Sequence, residues 1–241
     1  MVDAVRAQVR WHAGPVWGRL PVPVELAPQP DELPQHDEGG PPVVVPPDAG
    51  RDGASWVINI LDDADQANVL GYHAEDQAGR AYGRVFARSC LDNGGTVTQG
   101  AWSVSTVLSH EALEILIDPS CALWADDRLG FTSVEVADPV EGSWYDMTVG
   151  TEQVSVSNYV LPSWFDSAGR PPYDRLETLS RPFEIAADGY ALCWRRGRVS
   201  QVFGDQLPEW KRATKTSPLA RTARRLERRP QFAVGTARQS Q

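Results

Sequence analysis

The stretch from Ser103 to Pro119 limits what this chain can fold into more than any other. It reads as a helix that starts at Ser103 and closes on Pro119, which cannot continue one. Between them Leu108, Ala112, Ile115 and Leu116 recur at helical spacing, which predicts a single helix with an apolar stripe. Around it lie short apolar runs bounded by turn residues. Ser55–Leu61 reads as a buried strand, followed by the acidic turn Asp62–Asp65, and Tyr82–Ala87 reads as a second strand, with Gly71–Asp76 a polar, hairpin-like connection between them. Further short strands are expected at Trp144–Val149, Val154–Val160 and Tyr190–Trp194. One dominant helix among scattered strands predicts an α+β fold, with the central helix packed on a mixed sheet.

The hydrophobic share of 41% and nine tryptophans give this chain of 241 residues the means to build a real core. That core is expected over residues 54–194. Before it, residues 1–53 divide in two: Met1–Leu20, with Trp11 and Trp17, suits a strand or an anchoring segment, and Pro21–Pro47 carries nine prolines and Gly39-Gly40, a composition for an extended arm. After it, residues 195–241 form a basic tail. There 12 Lys/Arg stand against three acidic residues, giving +9, so the formal −9 of the whole chain leaves −18 for residues 1–194. A tail of that sign suits an acidic protein surface or nucleic acid. Cys90, Cys121 and Cys193 form neither a C-x-x-C pair nor an even framework, so no structural disulfide is expected. No stretch approaches the roughly 18 apolar residues of a membrane span, and no membrane partner is expected.

The helix also carries chemistry. His110, Glu111, Glu114 and Asp118 follow one another at helical spacing, and His110 and Glu114 stand one turn apart on one face. An imidazole and a carboxylate so placed can chelate a cation, and an intervening glutamate can serve as general base. An ordinary helix with a solvated acidic face is the competing reading of so short a match. Context favours the first, because a second acidic cluster, Glu135, Asp138 and Glu141, follows at a distance from which a third ligand can return.

On these residues the chain resembles a zincin-like metallopeptidase domain, of the kind in phage and prophage proteins that pair an H-E-x-x-E helix with an acidic Asp-Pro-x-Glu segment. The resemblance spans Ser55 to Trp194. It implies His110 and Glu114 as metal ligands, Glu135 as the third, Glu111 as general base, Asp138 and Glu141 as alternative ligands, and Asp118 as a supporting residue that orients His110 or caps the helix. Tyr145, Tyr159 and His73 are further candidates for stabilising an oxyanion. Zinc is the implied metal, with calcium and manganese as alternatives, because glutamate in place of a second histidine lowers the preference for zinc. The expected function is a structural component of a phage particle containing a metallopeptidase-like domain, made in the host cytoplasm and laced to other subunits through arm and tail, with nucleic acid a further partner for the tail. The alternative is an active metal-dependent peptidase or amidase.

Overall fold

The computed structural model describes residues 1–20, 22–26, 56–65, 69–76 and 79–206, and the proline-rich arm and most of the basic tail lie outside them. The fold is α+β. It opens with helix α1 (Val2–Ala7), which continues through π-helical turns at Gln8–Ala13 into the short α2 (Gly14–Val16). Within Met1–Leu20, Val2–Val16 is thus helical rather than a strand. Val5, Val9 and Ala13, spaced four residues apart, line one face and are buried in the main core.

Strands β1 (Val57–Leu61), β2 (Gly71–Glu75) and β3 (Ala81–Phe86) form a mixed sheet in the order β1-β3-β2, with β1 parallel and β2 antiparallel to β3. Two sequence expectations change here. The apolar run of β1 is not fully buried: it lies at the sheet edge, and Ile60 and Leu61 are 41% and 37% exposed. The supposed connection at Gly71–Asp76 is itself a strand. Tyr72 and Ala74 pack with Val69 and Phe86 on one face, while Gly71 and His73 turn toward the central helix, the alternation that a pleated strand imposes.

Helix α3 (Ala87–Asp92) leads to the central helix α4 (Val104–Ile117). Ser103 caps α4, its hydroxyl accepting from the Thr106 amide at 3.2 Å. At the other end the Arg19 guanidinium donates to the Ile117 carbonyl at 2.7 Å, satisfying one of the open acceptors there. Every residue of α4 except Ala112 is buried, so the helix has no solvated face. Its polar residues are used to attach it. Ser105 donates to the Ser155 carbonyl at 2.7 Å, and Ser109 donates to Gln8 while accepting from the Ser157 amide at 2.9 Å.

Ser155 and Ser157 lie on β7 (Glu152–Ser157), which forms a hairpin with β6 (Trp144–Val149). Between α4 and the hairpin run β4 (Trp124–Asp126), β5 (Phe131–Ser133) and a 3-10 turn at Asp138–Val140. A second sheet, antiparallel throughout, has the order β4-β5-β8-β9, with β8 at Tyr190–Arg195 and β9 at Arg198–Phe203. Strand β9 falls inside the segment read from sequence as tail and pairs with β8 along its length. The aromatic group at Trp164, Phe165 and Phe183 closes the core beside a second 3-10 turn, with the Trp164 indole donating to the Glu184 carbonyl at 2.8 Å. Among the described residues no helix is long and apolar enough to cross a membrane.

Candidate metal centre

Helix α4 presents His110, Glu111 and Glu114 inward, where the sheet and the Asp138 turn converge on them. His110 Nε2 lies 3.2 Å from Glu114 Oε1 and 3.2 Å from Asp138 Oδ1. Two ligands each about 2.1 Å from a tetrahedral zinc stand about 3.4 Å apart, so these three donors have the spacing a cation needs. The group is deeply buried, at 0% exposure for Glu114, 1% for Asp138 and 7% for His110. Asp138 therefore completes the pair on α4, as one of the two alternatives to Glu135. Its position depends on a close backbone approach: Gly189, at the start of β8, lies so near the turn that a Cβ there would stand 2.2 Å from the Pro139 carbonyl oxygen.

A second group adjoins the first through Glu114. Its other oxygen, Oε2, lies 3.2 Å from His73 Nδ1 on β2, and Glu111 Oε2 lies 3.5 Å from the same nitrogen. The far side of the imidazole, Nε2, faces the Asp118 carbonyl at 3.3 Å and Glu135 at 3.7 Å. Glu135, the expected third ligand, is thus placed with His73 and Cys121. Asp118 ends α4, as a capping role implies: its carboxylate accepts from the Ala122 and Leu123 amides at 3.0 and 2.9 Å, and its carbonyl orients His73. Glu141 follows the Asp138–Val140 turn and belongs to none of the three histidine-centred groups of the described residues that could hold a cation.

The electrostatics follow from burial and proximity. Burial alone pushes the His110 imidazole down, yet the adjacent Glu114 and Asp138 outweigh it and lift the pKa to about 10. Around His73, burial is likewise outweighed by Cys121, Glu135 and Glu111, which raise it well above the usual range. For Glu114 burial acts upward, and contact with His110 and His73 overrides it to hold the carboxyl well below its usual range. These groups form one chain of charge, Asp138, His110, Glu114, His73, Glu111, inside a protein interior where isolated charges are costly.

Tyr145 and Tyr159 are engaged elsewhere. The Tyr145 hydroxyl lies 2.9 Å from His12 and accepts from Gln8, and Tyr159 is buried in the core. His73, considered from sequence only as an oxyanion donor, is the residue whose place in the centre was missed. The available signal was its scarcity, as one of four histidines, within the uncharged run Val69–Ala74. The three cysteines are buried and free. Comparison of the chain with protein-family models, with curated proteins and with solved structures found no match.

Proposed function

We propose that this protein is a structural subunit of a phage particle built around a metallopeptidase-like domain, in which His110, Glu114 and Asp138 hold a divalent cation, zinc by preference. The observation that supports this reading best is the closure of the donor set: His110 Nε2 stands 3.2 Å from both Glu114 and Asp138, and all three residues are buried. Structural zinc sites are enclosed by their ligands, whereas catalytic ones keep a position open to water or substrate. A cation bound here would tie α4 to the Asp138 turn and offset the buried carboxylates. The placement in a phage particle is supported by the sequence resemblance over residues 55–194 and by the proline-rich and basic extensions, which suit contact with neighbouring subunits.

A second reading, an active peptidase or amidase, is favoured by one observation: His110 is the least enclosed of the three, its side chain 8% exposed against 0% and 1% for its partners. In that reading a bound cation supplies Lewis acidity toward an acyl oxygen, and Glu111 handles the proton. Metal analysis of the full chain beside His110→Ala/Glu114→Ala tests the common ground. Stoichiometric zinc, lost in the double variant, is the expected result, and native protein without metal would overturn both readings. Peptide cleavage by the native chain that Glu111→Gln abolishes would move the conclusion to the enzyme.

A further inference from the structure

The His73 side of the cluster gathers buried carboxylates around one imidazole nitrogen. His73 Nδ1 and Glu111 Oε2 are both buried, face each other at 3.5 Å and make no hydrogen bond. Glu114 Oε2 approaches the same nitrogen at 3.2 Å. Meanwhile His73 Nε2 lies 3.3 Å from the Asp118 carbonyl, a group that only accepts, so the N–H of a neutral imidazole belongs on Nε2. That leaves Nδ1 facing two buried carboxylates, an arrangement that calls for positive charge at this point, either a second proton on the imidazole or a cation. A histidine that gives one N–H to a backbone carbonyl and aims its other nitrogen at carboxylates has the arrangement of a metal ligand held by its outer partner.

We propose that His73 Nδ1, Glu111 and Glu114 form a second divalent-cation position, with Glu114 bridging it to the cation held by His110 and Asp138. The spacings of 3.2 and 3.5 Å about Nδ1 match those of donors sharing one cation at about 2.1 Å. The separate oxygens that Glu114 offers to His110 and His73, Oε1 and Oε2, are what a bridging carboxylate provides. Glu111 is on this reading a ligand of the second position. The proposal extends the single-cation centre proposed above and rests on its use of Glu114.

The test is cation stoichiometry in the full chain, stripped with chelator and then dialysed against zinc, with cobalt absorption titrated in parallel. The native chain is expected to take up two equivalents, and Glu111→Gln, which preserves shape, one; His73→Ala, checked for folding by circular dichroism, should also bind one. Asp138→Asn should lose the other equivalent and keep this one. A native chain binding one equivalent that persists in Glu111→Gln and disappears in Asp138→Asn would overturn the second position while leaving the His110 centre intact. One equivalent lost in Glu111→Gln but kept in Asp138→Asn would uphold this position and overturn the His110 centre. Uptake of no metal would overturn both.

Discussion

Glu114 is the residue on which the two halves of the centre meet, and Asp138 is the one whose loss separates them most cleanly. Asparagine at position 138 keeps the shape of aspartate but gives up its charge and one anionic oxygen. Loss of a partner outside the ligand shell commonly costs 10–100-fold in metal affinity, so losing a ligand itself should cost at least about 100-fold. Competition against a chromophoric chelator measures it, and unchanged affinity in Asp138→Asn would remove Asp138 from the centre. His110 and Glu114 were legible in the sequence because one helix fixes their spacing. Asp138 could not be separated from Glu135 or Glu141, since the choice depends on how the Pro139 turn is held against Gly189, a contact between distant parts of the chain. Away from the centre, burial pushes the Cys90 thiol up from 9.0 to about 12. Between those values the folded chain retains a proton that the unfolded chain has lost, so stability falls as pH rises above 9, by about 1.4 kcal/mol per pH unit. Urea denaturation of the native chain and Cys90→Ala at pH 8 and pH 10 should show a loss larger in the native chain by about 1.4 kcal/mol, the part due to Cys90; equal losses would contradict it.

At the scale of elements, α4 was readable because its signals are local: the apolar stripe from Leu108 to Leu116 and the stop before Pro119 lie in the sequence itself. Replacing Ser103 by alanine is expected to cost about 1 kcal/mol in urea denaturation. Strand β2 was not readable, since its burial comes from β3 on one side and α4 packed over it, both remote information. Gly71 shows how tight that packing is. A Cβ there would lie 2.7 Å from Val107 Cγ1, 2.9 Å from the Arg84 carbonyl oxygen and 3.0 Å from Glu111 Oε1. Gly71→Ala should therefore destabilise the fold by about 1–3 kcal/mol and weaken metal uptake by displacing Glu111. A variant as stable as the native chain would show that the helix and β2 have room to separate. Strand β9 was hidden for a different reason. Arg195, Arg196 and Arg198 give its start the composition of the basic tail, although Arg195 is itself anchored by Asp127 and the Phe131 carbonyl.

Across the whole molecule, charge is distributed unevenly enough to have consequences. Residues 207–241, outside the described structure, carry nine Lys/Arg against two acidic residues, while the rest of the chain is strongly acidic. Opposite charges on one polypeptide favour contact between copies, and such contact is screened within about 10 Å at 0.1 M salt. Sedimentation velocity should find the full chain self-associating at low salt and dissociating as salt rises, with a chain ending at Gln206 monomeric throughout. Association that ignores salt would point to an apolar interface instead. The α+β class was legible from one bounded helix among short strands. The relation of the two sheets and the hairpin was not, because strand order depends on pairings between segments far apart in sequence, such as β5 with β8.

A crystal of the full chain grown with zinc, with anomalous diffraction recorded on both sides of the zinc edge, locates any bound cation independently of activity. The expected result is a peak about 2.1 Å from His110 Nε2 and in contact with Glu114 and Asp138. A map with no peak among these residues, from protein shown to be folded, would mean that the buried histidines and carboxylates around α4 hold one another and hold no metal.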